Sequence, residues 1–375
     1  MTQKNRLSRY GRLVAASLTW FFVSGGASIA GASEWDEVLA AANKEGTVVL
    51  ANGGGAGTGE RRLFTEGFQK QFPGIRVNMT TAGGRSIAPR ILMERRVGKY
   101  LWDVYQGGTT TALTFLVPAG VLDPIKPALI WPEVKDPSKW FGGKIDFSDD
   151  AATHNLVFGG YVKPPLAYNT KLLKKGDIRS YHDLLDPKWR GKIVLTDPRR
   201  PGSGLAAATF WYGNKSLGKE FIRRILTEQD VKLSRDYRQQ MEWLARGDYA
   251  IAIGHHNGIY KEFVEKGLPL ALLTANDVKE ANYVTAAVAG LGLVNRGPNP
   301  NAAKVYINWL LSKETQTKWS RISGFWSRRR DVPQDHLDPA IIPDENKIDS
   351  YQLNYKEHWV KKRKNIVKYL RTIIR

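Results

Sequence analysis

The chain has 375 residues, 42% hydrophobic and 25% charged, which excludes a disordered or fibrous class and leaves room for two folded domains. It has no cysteine, so disulfides, thiolate metal sites, a cysteine nucleophile and a lipid-modified N-terminal cysteine are all excluded. Lys+Arg 56 against Asp+Glu 36 gives +20, a balance that points first to nucleic acid.

The N-terminus removes most of that reading. Lys4, Arg6, Arg9 and Arg12 precede the first acid, Glu34, and are followed by an apolar run from Leu13 to Val23 and by Ala30-Gly31-Ala32. A positive end, a short apolar stretch and an Ala-x-Ala site are the parts of a secretory signal peptide, expected over residues 1–32. The run is too short for a comfortable membrane span. With no cysteine to acylate, the expected location is a periplasm, where nucleic acid is not a partner. Cleavage after Ala32 leaves a net charge of +16.

Beyond it the chain alternates helix and strand. Trp35 to Lys44 is predicted as an amphipathic helix, Thr47–Ala51 as a strand and Glu60 to Phe72 as a helix stopped by Pro73-Gly74. Ile75–Thr80, Ser86–Val97 and Trp102–Tyr105 continue as strand, helix and strand. Residues 123–150, rich in Pro, Trp and Asp, break the rhythm. It restarts with Leu156–Tyr168, Ile193–Thr196, a helix from Leu205 and the strand Tyr249–Gly254, and finishes with Val284–Val294 and a helix from Asn301 to Leu311. Short strands spaced by helices predict mainly parallel sheets. Two such units imply two lobes with a ligand cleft between them. Residues 356–375 differ: eight Lys or Arg against Glu357 alone, with Ile366, Val367, Leu370, Ile373 and Ile374 at helical spacing. We expect an amphipathic helix docked on the body and dispensable for ligand capture; contact with anionic lipid or an acidic partner is the alternative.

Four strand ends lead through Gly, Ser and Thr into a helix: Gly53, Gly84-Arg85-Ser86, Thr109-Thr110 after Gly108, and Ser203-Gly204 after Gly202. Free N–H groups at a helix start and hydroxyl donors suit an anion or polar oxygen, although simple capping uses the same residues. Nucleotide motifs fail, since Glu60 stands where a Walker loop needs lysine, and neither Gly-x-Ser-x-Gly nor His-Glu-x-x-His occurs. Of six histidines only His255 and His256 are adjacent, directly after a predicted strand, where neighbours point opposite ways. They are weak metal candidates; no metal and no cofactor is expected, and no catalytic residue. Tyr168 at another strand end completes the polar candidates.

In order, Ala167-Tyr168-Asn169-Thr170, Leu184-Leu185-Asp186-Pro187-Lys188-Trp189-Arg190-Gly191, Asp197-Pro198, Gly247-Asp248-Tyr249-Ala250 and Asn299-Pro300 resemble the extracytoplasmic solute-binding proteins of ABC importers, family 1. The ferric-iron-binding branch and its relatives are the most similar. The resemblance implies an α/β type 2 periplasmic-binding fold: lobe 1 from residues 33–158 with 286–355, lobe 2 from 159–285, hinge strands between, and a basic tail at 356–375. It also implies a non-enzymatic monomer that delivers its ligand to an inner-membrane ABC permease. Ferric relatives place a tyrosine pair where this chain has His255-His256, and a carboxylate where it has Gln106-Gly107, so protein-held iron does not carry over. An anionic or oxygen-rich ligand is expected, with Gly53, Gly84, Arg85, Ser86, Thr109, Thr110, Tyr168, Asp197, Ser203, Gly204, His255 and His256 as contacts. The alternatives are a ferric receptor using an anion co-ligand, a periplasmic metal-dependent hydrolase built on His256, and a sensor subunit serving a receptor kinase.

Overall fold

The computed structural model describes residues 33–54, 57–280 and 282–374, without the side chain of Arg85; the expected signal segment, 1–32, lies outside the described residues. Helix α1 (Glu34–Glu45) opens on a capping box, in which the Ser33 hydroxyl and the Asp36 carboxylate satisfy each other's backbone, and closes on Gly46 in the left-handed region. It delivers the chain to β1 (Thr47–Asn52), which lies between β2 (Arg76–Thr81) and β3 (Val104–Gly107), both parallel to it. Helix α2 (Gly84–Arg96) links the last two. Val48, Leu50, Val104 and Phe68 form the centre of the first core.

Between residues 156 and 169, expected from the sequence as a single segment, the chain visits all three sheets in turn. Leu156–Val157 finishes the first sheet, β4 (Gly159–Val162) enters a small central sheet, and β5 (Leu166–Asn169) enters the second lobe. Pro164-Pro165 makes the last break, because proline cannot donate to a ladder. The second sheet has the order β7-β6-β8-β5-β9, built from β6 (Ile193–Thr196), β7 (Lys232–Ser234), β8 (Ile251–Ile253) and β9 (Leu270–Leu273). Helices α3 (Ser203–Gly213), α4 (Gly218–Glu228), α5 (Tyr237–Arg246) and α6 (Asn257–Glu265) surround it. The predicted strand Val284–Val294 is likewise two strands. β10 (Tyr283–Thr285) pairs with β4 in the central sheet, and β11 (Gly290–Val294) returns antiparallel to β3. Each lobe thus has three parallel strands with antiparallel additions, so the sheets are mixed.

Helix α7 (Pro300–Leu311) packs on α1, and the Glu45 carboxylate caps it by accepting from the N–H groups of Asn301 and Ala302. Helix α8 (Lys313–Ser323) follows. The C-terminal helix α9 (Glu357–Ile373) is docked on the body, and its docking face is part of a lobe core. Ile366 and Leu370, fully buried, belong to the second lobe's core with Leu205, Phe210 and Phe221. The basic face that suggested a tail is its solvent side; the apolar stripe is lobe interior.

Candidate functional site

The central sheet forms the floor of the junction between the lobes. Val284 pairs with Val162 and Thr285 with Tyr161, while the Lys163 N–H donates to the Tyr283 carbonyl. Opposed residues share a face and neighbours alternate. Tyr161, Lys163, Tyr283 and Thr285 therefore lie on one face, and the buried Val162 and Val284 on the other. Tyr161 is stacked on Phe325 with ring centroids 5.2 Å apart.

The second lobe supplies one wall. Lys163 Nζ donates to the His255 carbonyl at 2.8 Å and to Asn257 Oδ1 at 2.5 Å, which holds the ammonium at the first residue of α6. His256 caps the same helix, its Nδ1 accepting from the Ile259 N–H at 3.4 Å. Its ring lies 5.5 Å from that of Tyr237, whose hydroxyl accepts from the Ser203 N–H at 3.2 Å. Tyr161, Tyr237 and Tyr283 are within electrostatic reach of one another.

A residue from far along the chain reaches from the second lobe to the first. Arg363, on α9, donates from Nη1 to Thr110 Oγ1 in the first lobe at 2.7 Å, and from Nη2 to the Asn354 carbonyl at 3.0 Å. Its Nε is buried and has no hydrogen-bond partner among the described residues.

The charges at this junction are unusual for the protein. Elsewhere, buried cations have carboxylates. Arg329 pairs with Asp331 at 2.8 Å and Glu133 at 3.1 Å, and Asp146 receives both Arg328 at 3.4 Å and Lys356 at 2.6 Å. Lys163 is 3% exposed and forms no ion pair among the described residues, and burial pushes its pKa from 10.5 down to about 7. Arg363 also lacks a carboxylate, and burial lowers it to about 10. A cation at the positive end of a helix dipole is itself unfavourable. Tyr161 and Tyr283 are held neutral, since burial and neighbouring phenols raise both, Tyr161 to about 12. His255 and His256 are both lowered by burial and by the Lys163 charge. The result is a patch of donors and unpaired positive charge that lacks an anion.

The residues anticipated from sequence divide three ways. Thr110, Ser203 and His256 are brought to this junction, as is the His255 main chain. The His255 ring is not: it is buried, close to Tyr260, and neither ring nitrogen closes a hydrogen bond of ordinary geometry. Thr109 is buried beside the exposed Thr110, while Ser86 is exposed at the start of α2. Gly84 packs against Thr111, and the Arg85 side chain lies outside the described residues.

Three others serve different ends. The Gly53 N–H already donates to the Gln106 carbonyl, and Val288 covers Gly54. Tyr168 pairs with Ile251 on an antiparallel strand, which places it toward the amino end of β8, away from His255 and His256 at the other end. Asp197 is clamped by Arg199 at 2.9 and 3.0 Å and lines a separate surface hollow with Lys232, Arg235 and Trp243. Sequence reasoning missed Tyr161, Lys163, Tyr237, Asn257, Tyr283 and Arg363. The alternation Tyr161-Val162-Lys163 was the available signal, but nothing local marks that strand as the junction floor.

Gly204 shows how tightly this edge is built. A Cβ there would lie 2.0 Å from the Thr196 carbonyl oxygen, and Gly254, at φ +72°, packs against the same residue. Gly204→Ala is expected to displace the start of α3 and cost about 1–3 kcal/mol, read as a lower Tm.

Among the described residues no group of three or more His, Cys, Asp and Glu side chains could hold a metal ion, and no helix is long and apolar enough to cross a membrane. Residues 64–346 match the family described as bacterial extracellular solute-binding protein. A Salmonella paratyphi A protein, provisionally named a 2-aminoethylphosphonate-binding periplasmic protein, is 28% identical over 222 residues. That match covers 56% of this chain, and the chain spans 65% of the relative's length. Iron-bound HitA from Pseudomonas aeruginosa superposes with a TM-score of 0.63 at 22% identity, covering 87% of this chain and 99% of that one. AfuA from Actinobacillus pleuropneumoniae, with fructose-6-phosphate bound, gives 0.57 at 20% identity over 88% and 98%. At such identities the likeness to the solved structures is one of fold.

Proposed function

Because the chain belongs to the bacterial extracellular solute-binding protein family, we propose that it captures a small anionic solute between its lobes and hands it to an inner-membrane ABC permease. Capture takes place in the periplasm, after removal of a signal peptide at 1–32. The observation that carries the ligand class is Lys163, a buried ammonium at a helix start with no carboxylate partner. Leaving a charge buried and unpaired is costly in the empty protein, and an anion bound beside it removes that cost. Thr110 of the first lobe, and Arg363, Tyr237, His256 and the Ser203 main chain of the second, would close over the ligand. The two lobes would then be 33–158 with 286–355, and 159–285 with the C-terminal helix.

The relatives bear on this in different ways. A phosphonate or a sugar phosphate presents the kind of oxyanion this junction lacks. An aminoethyl group is a poorer match, since none of the groups acting on Lys163, Arg363, Tyr161 or Tyr283 is a carboxylate that could receive an ammonium. Ferric iron held by protein ligands is less well supported, because among the described residues no group of three or more His, Cys, Asp and Glu side chains could hold a metal ion and no carboxylate acts on these phenols. The names of the relatives are those of binding proteins, which supports capture without turnover.

Thermal-shift measurements with phosphate esters, phosphonates, carboxylates, polyamines and ferric salts test this reading. Stabilisation by one or more organic oxyanions is expected. Stabilisation by polyamines or ferric salts alone would refute it.

A further inference from the structure

The family match ends at residue 346, and Arg363 lies beyond it, on a helix otherwise committed to the second lobe's core. Its guanidinium nevertheless reaches across to the first lobe at Thr110. Two of its donor groups are used, by a hydroxyl and a carbonyl, and Nε is buried with nothing to bond. The buried structural arginines differ in having carboxylates: Arg328, whose Nε also lacks a hydrogen bond, lies 3.4 Å from Asp146. Arg329 spends its donors on Asp331, Glu133 and two carbonyls, with every nitrogen occupied. Arg363 instead faces Tyr283, beside the same floor that carries Lys163.

We infer that Arg363 is a ligand contact contributed by the C-terminal helix, and that together with Lys163 it selects a solute whose head carries two negative charges, a phosphomonoester or phosphonate. This rests on the proposal that the junction binds an anion. The guanidinium fork suits two oxygens of one tetrahedral head, with Nε and one Nη donating side by side. The point charge of Lys163, backed by the start of α6, takes the other charge. A singly charged head would leave one of these two cations without a counter-charge. Thr110 then acts as the resting partner of Arg363, holding the fork in place while no ligand is bound. Because α9 is anchored by Ile366 and Leu370 in one lobe while Arg363 touches the other, the ligand head also ties the lobes together.

The test is calorimetric titration of the full chain at neutral pH with glycerol 3-phosphate and glycerol 3-sulfate, a pair alike in shape whose phosphate carries close to two charges and whose sulfate carries one. Wild type, Arg363→Gln, Arg363→Lys and Lys163→Met are compared. The wild type is expected to prefer the phosphate by about tenfold or more. Arg363→Gln is expected to lose that preference along with about tenfold of phosphate affinity, and Arg363→Lys to recover part of both.

If Arg363→Gln lowers the Tm but leaves the phosphate-to-sulfate ratio as in the wild type, the arginine is structural and the inference is overturned. If the wild type binds neither ester, the assigned ligand class is overturned. If Lys163→Met binds both as the wild type does, the anion reading beneath it fails instead. Loss of both in that variant, with an unchanged Arg363→Gln, would sink this inference alone.

Discussion

Replacing Lys163 with methionine is expected to weaken capture of an anionic solute about 100-fold, equivalent to about 3 kcal/mol, while the protein folds as well as before or better. Methionine nearly matches the length of the lysine and fills the same space. The ammonium it removes is 3% exposed, sits at the amino end of α6 and has no carboxylate, so the ligand-free protein gains by losing it. The two effects have opposite signs, which separates this variant from an ordinary core mutation.

The same lysine predicts a pH signature. Burial pushes it from 10.5 to about 7, so folding of the empty protein releases a proton within that window. The unfolded chain binds more protons there, and this group's contribution to stability rises with pH between about 7 and 10.5. Ligand binding runs the other way. It needs the charged form, so affinity falls above neutral pH, by at most tenfold per unit. The neighbouring His255 and His256 are lowered by burial and by Lys163, and remain neutral through that range. Lys163→Met should flatten both profiles; a wild-type affinity constant from pH 7 to pH 9 would contradict the assignment.

The second large effect concerns the C-terminal helix. Ile366→Asp is expected to cost at least about 3 kcal/mol, because it places a carboxylate among Leu205, Phe210 and Phe221 with no partner. Deletion of residues 356–375 is expected to unfold the second lobe as well as abolish capture. Circular dichroism melts check both. A truncated chain with wild-type Tm would mean that the helix is, after all, an appendage.

That helix also shows what could be read from the sequence and what could not. Its apolar spacing was plain, and so was its charge, but spacing does not say which surface the apolar stripe covers. The strand–helix alternation and the glycine-rich helix starts were equally legible, because each is local. The junction floor was not. Lys163 becomes noteworthy only when β4 is seen beside β10, 120 residues later in the chain, and Arg363 only when α9 is seen crossing to Thr110. Tyr168 was misplaced for the same reason: a strand end points to the ligand side only if the strand's direction is known, and β5 runs antiparallel. The anionic bias inferred from bulk charge agrees in sign with the proposal drawn from Lys163 and Arg363, but it rested on other residues. Most of those charges face water, while the buried Lys163 and the half-buried Arg363 were overlooked.

Native mass spectrometry of the full chain, purified from its periplasm without refolding and set beside Lys163→Met, tests the central claim most directly. The account predicts a carried-over small anionic solute on the wild type and none on the variant. The same solute on both proteins, or a bare ferric ion on the wild type, would contradict it.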